Sequence, residues 1–420
     1  MSHRIWALLS TVAATALLAS AAFADEAPTA AAPAAPTSWM SGIKFSAHIE
    51  AGATMNPASP SNGVNFGHLF TDKANQIVLN QAAITIERDP DPKAKSIDIG
   101  FKIQGMYGSD SRYTHFLGEL DHETSMRNSF DIVEANVTAH LPFLTAGGID
   151  VKVGQFSTPL GVEVIDPTGN FFYSKGYIFN FGIPLKHTGI LTTTHVNSIL
   201  DIYAGYTTGV NTSLGSAGGY NDGQFHFLGG IGLNFKNLTI LALTHIGPEN
   251  PGPVQGVDVH GQMRYLSDIV VTWHVNDKLT SMTELNYIRD DGFAAAGGGV
   301  AEYLTYPLSS TITAGIRGEI WRDANGFFVA GFPGNNDFVN LEEGLPTTAY
   351  GVGSATYGAI TLGLNIKPAH LPKMIDGLTV RPEIRYDRTL SGSGAFTRSD
   401  ALLGKDQFTI GLDVVIPLAF

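Results

Sequence analysis

The 420-residue sequence has no cysteine, so no disulfide holds the chain together and its stability must come from backbone pairing and burial. Charge is scarce as well. Only 15 % of residues are Asp, Glu, Lys or Arg, and the formal net charge of −13 argues against nucleic acid as a partner. Beyond the first residues there is no run of about 18 consecutive apolar side chains, so a helical membrane span is not supported. No long window keeps a helical period either. What the chain does have is glycine, 48 of 420 residues, and a recurrent alternation of apolar with small or polar side chains.

The first stretch, MSHRIWALLSTVAATALLASAAFA, combines a basic start at Arg4, an apolar run and Ala22-Phe23-Ala24 ahead of Asp25. This is the layout of a cleaved secretory signal over residues 1–24. Ser10, Thr11, Thr15 and Ser20 interrupt the run and speak against an uncleaved anchor. Residues 25–40 are rich in Ala and Pro and read as an extended linker, leaving 41–420 as the folded unit.

In that unit GIKFSAHIEAGATM places Ile43, Phe45, Ala47, Ile49 and Ala51 on one face, with Lys44, Ser46, His48 and Glu50 on the other. SIDIGFKIQGMYG and the terminal DQFTIGLDVVIPLAF alternate in the same way, the latter from Phe408 through Ile410, Leu412, Val414, Ile416 and Leu418 to Phe420. Alternation at period two is the mark of a strand with two unlike faces. Sixteen windows qualify, at 42–55, 76–88, 96–108, 129–141, 148–156, 186–196, 198–209, 223–236, 238–247, 262–276, 278–290, 299–307, 310–323, 355–367, 377–389 and 406–420. The phase is weakest at 76–88, 238–247 and 299–307, so fourteen and eighteen strands stay open as counts.

The connections alternate between long and short. Long ones lie near 56–75, 109–128, 157–185, 210–222, 248–261, 291–298, 324–354 and 390–405, and short ones near 89–95, 142–147, 197, 237, 277, 308–309 and 368–376, with turn residues such as Asn237, Asp277 and Pro307. Short turns on one side, long loops on the other and an even strand count describe a transmembrane antiparallel β-barrel of about sixteen strands in a bacterial outer membrane. The spacing has no fixed period, which excludes a solenoid. Because hydrocarbon leaves no unpaired backbone group tolerable, the sheet must close, with the apolar face on lipid. Tyr107, Tyr206, Trp273, Tyr287, Tyr357, Tyr386 and Phe420 fall near strand ends, where an interfacial girdle is expected.

The stretch VGQFSTPLGVEVIDPTGNFFYSKGYIFNFGIPLKHTG, Val153 to Gly189, resembles the corresponding segment of the OmpL-like putative β-barrel porins, through Val153-Gly154-Gln155-Phe156, Glu163 to Pro167 and Phe179-Asn180-Phe181-Gly182. The terminal strand ending on Phe420 resembles the assembly signal read by the barrel-assembly machinery. The resemblance implies an outer-membrane, channel-forming porin. The residues themselves fit it. The connection at 157–185 is apolar for an outside surface, with Phe171, Phe172, Tyr173, Tyr177, Ile178, Phe179 and Phe181, and is expected to fold inward and narrow the lumen against a wall of small residues.

No catalytic residue, metal ligand or cofactor is assigned. His115, Glu119, Asp121, His122 and Glu123 share one polar loop of an ordinary solvated kind; Gly351-Val352-Gly353 lacks a strand–helix frame, and no G-x-S-x-G occurs. Inward-facing charge is the better guide, since Lys or Arg on lipid at mid-bilayer costs about 2–4 kcal/mol. By phase Lys44, Lys102, Lys152, Arg317, Arg381 and Arg385 line the pore, and Glu163 and Asp166 of the inward loop are expected to face a basic sector of Lys44, Lys102, Arg381 and Arg385. The function expected is passive diffusion of small hydrophilic solutes or ions through a water-filled channel in outer-membrane lipid, compatible with a homotrimer. The alternative is a non-transporting barrel, an adhesin or structural anchor.

Overall fold

A computed structural model describes residues 38–116, 119–120, 126–210, 212, 224–249, 258–334, 336–342, 347–348 and 351–419. Residues 1–37, Asp121, His122, Glu123 and Phe420 lie outside the described residues. The expected signal, most of the linker, part of the polar loop and the terminal aromatic therefore fall there.

The strands are β1 (Lys44–Met55), β2 (Ile77–Arg88), β3 (Asp98–Gly108), β4 (Ser129–Leu141), β5 (Ile149–Ser157), β6 (Lys186–His195), β7 (Leu200–Thr207), β8 (His226–Asn234), β9 (Leu238–Pro248), β10 (Met263–His274), β11 (Thr280–Asp290), β12 (Ala295–Pro307), β13 (Ile312–Asp323), β14 (Ala355–Ile366), β15 (Thr379–Ser391) and β18 (Asp406–Ala419). Two short strands, β16 (Phe396–Thr397) and β17 (Leu403–Gly404), make a separate hairpin in the last connection. The other sixteen form one closed barrel, each paired antiparallel with its neighbours. Closure joins the first strand to the last, from Ser46 opposite Ala419 to Met55 opposite Ile410. Among the described residues no helix is long and apolar enough to cross a membrane. The helices are single turns or little more, α1 (Ser111–Thr114), α2 (Tyr177–Phe181) and α3 (Asp337–Glu342).

Period-two patterning decides which side chain goes where. Ile49, Ile84, Ile103, Ile190, Ile269, Leu285, Ile316, Ile360, Ile384 and Leu412 point away from the barrel interior and are exposed to its surroundings. Their sequence neighbours His48, Glu50, Gln104, Glu284, Arg317, Thr361, Arg385 and Asp413 are buried inside. An apolar outer belt over a polar interior is the inverse of a soluble sandwich and fits lipid outside. Tyr107, Tyr206, Trp273, Tyr287 and Tyr386 are exposed on that outer surface.

Two expectations need correction. Tyr357 is no girdle residue: it shares the inward face with Ala359 and Thr361, is 1 % exposed, and stacks on Tyr177 with ring centroids 5.5 Å apart. The connection placed at 291–298 is only 291–294, because β12 begins at Ala295 and Gly297, Gly298 and Gly299 pair with Asp323, Arg322 and Trp321. Glycines carry no side-chain alternation, so the strand runs on where its pattern fades.

Candidate functional site

The connection between β5 and β6, residues 158–185, folds back among inward-facing wall side chains. Its path is fixed locally. Gly161 takes a left-handed φ of +87°, Asp166 accepts a 2.9 Å hydrogen bond from the Thr168 amide ahead of a short turn opened by Pro167, and Asn170 donates to the Val164 and Asp166 carbonyls. Glycines then bracket α2, Gly176 before it and Gly182 after it.

Alternation on β13, β15, β18 and β1 brings Arg317 and Glu319, Arg381, Glu383, Arg385 and Asp387, Asp413, and Glu50 onto one stretch of inner wall, all buried. These groups hold the segment. Arg317 donates to Glu163 Oε1 at 2.6 Å and to the Ser174 carbonyl at 2.8 Å. Glu163 Oε2 accepts from the Gly176 amide at 2.7 Å, and Glu319 accepts from the Tyr177 amide at 2.6 Å. Glu383 receives the Tyr173 and Ser174 amides. Arg381 donates to the Pro167 and Asn170 carbonyls at 2.9 and 2.7 Å while bonding Asp413 and Glu50. Arg385 donates to the Lys175 carbonyl at 2.7 Å and pairs with Asp387, which also accepts from Tyr177 Oη.

The apolar part of the segment seats on missing side chains. A Cβ added at Gly315 would lie 2.2 Å from the Phe171 ring, one at Gly52 2.6 Å from Tyr173, and one at Gly363 3.1 Å from Phe172. Phe66, Phe70, Tyr113 and Phe179 continue this buried cluster. Burial drives the Lys175 ammonium below its ordinary range, and its Nζ rests on the Val164 carbonyl and over the Phe179 ring.

The basic sector expected opposite Glu163 and Asp166 is thus divided. Glu163 meets Arg317, and Arg381 and Arg385 bind backbone carbonyls and wall carboxylates in direct contact, not across an opening. Lys44 points inward by phase but sits at the rim, its side chain 64 % exposed and paired with Asp89 at 2.9 Å. Sequence phase cannot say which wall position a folded-in segment will touch, and that is where the expectation slipped. Asp166 is different, with its side chain 38 % exposed. Burial opposes its charge, yet His48 at 3.6 Å and the Thr168 bonds hold it below the ordinary carboxylate range. Lys102, 32 % exposed, pairs with Glu87 and is within electrostatic reach of Asp166, and Lys152 lies half-buried over Phe156. Glu319 and Glu383 point inward as their phase predicts and act as anchors, joined by Asp387, which the sequence reading did not single out. Their signal was only their inward phase.

An outward-facing carboxylate stands out. Glu302 lies opposite Thr283 on the face shared with Val300 and Leu285, and accepts 2.5 Å hydrogen bonds from Ser281 and Thr283.

The family model described as putative beta-barrel porin-2, OmpL-like, matches residues 42–418. No curated protein matches the sequence. Among solved structures the chain is similar to OmpF of Salmonella typhi in complex with daunomycin, at 10 % identity, covering 90 % of this chain and 97 % of that one with a TM-score of 0.55. It is also similar to the outer membrane channel DcaP of Acinetobacter baumannii, at 11 % identity, 90 % and 96 % coverage and a TM-score of 0.53. A third is the trimer form of OmpT of Vibrio cholerae, at 11 % identity, 89 % and 98 % coverage and 0.51. At these identities the likeness is one of fold.

Proposed function

The chain belongs to the putative beta-barrel porin-2, OmpL-like, family and is an outer-membrane porin, and from that premise we propose that it passes small hydrophilic solutes by diffusion along one side of a lumen narrowed by residues 158–185. The observation that carries this is the asymmetry of the interior. On the β13–β15 side arginines and carboxylates are consumed in strapping the segment down, with Arg317 and Arg385 fully buried. Near β1–β5 the charged groups Lys102, Glu87, Asp150 and Asp166 keep part of their side chains accessible. Solutes therefore meet a mixed set of charges whose acids Asp166 and Glu87 face Lys102, and whose field sorts ions by sign.

Planar-bilayer conductance of the purified protein tests the reading. Asp166→Asn is expected to shift ion preference toward anions, and the shift should shrink as salt rises, because screening shortens the reach of the wall charges. No conductance at all would overturn the porin reading in favour of a non-transporting barrel. Unchanged preference in Asp166→Asn would remove Asp166 from the path.

The rest of the assignment follows the same premise. Residues 1–24 are cleaved on export, so the mature protein starts at Asp25, and Phe420 closes the signal read by the assembly machinery. The protein assembles as a homo-oligomer through β11 and β12, where the Glu302 carboxyl with Ser281 and Thr283 suits a second subunit better than lipid. The trimer form of the OmpT relative supports a trimer as that oligomer.

A further inference from the structure

We propose that His226, His245 and Glu249 form a binding site for a divalent transition-metal ion at the long-loop mouth of the barrel. His226 opens β8 after one long connection, and Glu249 follows β9 at the start of the next, so both sit at the end of the barrel from which the docked segment enters. Leu228 pairs with His245 and Phe227 with Ile246, which puts His226 opposite Gly247. A Cβ on Gly247 would lie 2.4 Å from His226 Nδ1, so the ring occupies space that any other residue would fill.

Three donor atoms converge there. Nδ1 of His226 stands 3.0 Å from Glu249 Oε1, Nδ1 of His245 3.4 Å from the same oxygen, and the set lies within 4.8 Å of one another. A four-coordinate ion with bonds of about 2.0–2.2 Å holds its ligand atoms roughly 3.3 Å apart, so these edges nearly fit without movement. All three side chains are buried, at 0, 1 and 6 % exposure. His226 Nδ1 and Glu249 Oε1 meet as a close charged contact without well-formed hydrogen-bond geometry, and His226 Nε2 has no hydrogen-bond partner. Buried polar atoms are seldom left in poor geometry, and a shared ion would satisfy His226 Nδ1 and Glu249 Oε1 together.

Neighbouring groups orient two of the three ligands, His245 and Glu249, as metal sites require. Thr207 Oγ1 lies 2.9 Å from His245 Nε2, and a proton there leaves Nδ1 with its lone pair toward the centre. The Val210 amide occupies Glu249 Oε2 at 3.0 Å, leaving Oε1 inward. Two imidazoles and one carboxylate select Zn²⁺, Co²⁺, Ni²⁺ or Cu²⁺ over Mg²⁺ or Ca²⁺, which favour oxygen alone. His187 packs on His245 at 5.0 Å and its Nε2 lies 3.0 Å from Thr158 Oγ1, which ties the site to the root of the docked segment.

The competing occupant is a proton, with imidazolium paired to Glu249. Folded full-length protein in detergent, checked for heat-modifiable migration, separates the two by equilibrium dialysis against Zn²⁺ and by visible absorbance with Co²⁺. The expected result is one ion per chain, a four-coordinate Co²⁺ spectrum, and affinity weakened roughly 10-fold or more in Glu249→Gln and in His245→Gln. His274→Gln, which changes an exposed histidine, should bind as the parent does. Absence of saturable binding, or equal affinity in Glu249→Gln and the parent, would overturn the site and leave the cluster an imidazolium–carboxylate pair.

Discussion

Replacing Arg317 by Met removes the charge that pins the docked segment while keeping most of the bulk. Arg317 is wholly buried and serves Glu163 Oε1 at 2.6 Å, the Ser174 carbonyl at 2.8 Å, Ser174 Oγ at 3.2 Å and Thr361 Oγ1 at 3.1 Å. Without it Glu163 keeps the Gly176 amide and the through-space attraction of Lys175, but loses its direct ion-pair partner. Breaking a buried pair from one side costs about 3–5 kcal/mol. At about 1.4 kcal/mol per decade, the docking equilibrium of this part of the segment moves by about two to three and a half powers of ten. Arg381 and Arg385 still hold the carbonyls of Pro167, Asn170 and Lys175, so the segment loosens locally and stays inside. Single-channel recording should then show added noise and transitions to larger conductance levels. The double variant Arg317→Met/Glu163→Gln should return toward the parent, because the carboxylate that lost its ion-pair partner is gone. An Arg317→Met barrel that migrates as folded, yet keeps parental conductance and noise, would refute the claim that this pair holds the constriction.

Three further outcomes are expected. Gly315→Val puts atoms where the Phe171 ring now lies, and overpacking of about 1–3 kcal/mol should lower the temperature at which the barrel unfolds in heat-modifiability gels; an unchanged temperature would show that the ring is not seated there. Asp110, in the connection after β3, is pushed up to about 6 by burial, so its folded-state value exceeds its unfolded one, and the stability it contributes in acid is lost as pH rises through 6. Asp110→Asn should therefore gain stability relative to the parent between pH 5 and pH 8, whereas a carboxyl titrating normally would give a difference flat over that range. Glu302→Leu should weaken the oligomer measured by light scattering in detergent while leaving the barrel heat-modifiable, and an oligomer of unchanged stability would place that face on lipid.

The strands were readable because lipid and lumen impose opposite demands on successive residues. All sixteen expected windows overlap observed strands, including the three of weak phase. Where residues have no side chain to alternate, as at Gly297–Gly299, the boundary was lost. Inward phase was also readable, and Arg317, Arg381 and Arg385 lie where alternation puts them. Their partners were not, since pairing Glu163 with Arg317 depends on how residues 158–185 bend in three dimensions. The apolar run from Phe171 to Phe181 did announce that this connection needs burial, but nothing in it names Gly52, Gly315 and Gly363 as the seats. His226, His245 and Glu249 converge only through register between neighbouring strands, and Glu302 breaks the very rule that made the rest legible.

Arg381 lies beside the seam where the first strand meets the last. It belongs to β15, bonds Asp413 on β18 and Glu50 on β1, and holds the carbonyls of Pro167 and Asn170 as well. This makes the seam a gauge of strand number. A chain that closed one hairpin early would set β1 beside β14, whose inward residues Ala359, Thr361 and Gly363 carry no charge. Glu50 and the two carbonyls would then be shut in the interior with no guanidinium to meet them, and the smaller ring would carry that penalty for as long as it lasted. Only when both final strands arrive is each of these groups answered. Hydrogen bonding between strand backbones is indifferent to how many strands a cylinder holds, so the count is chosen by side chains that never touch the membrane.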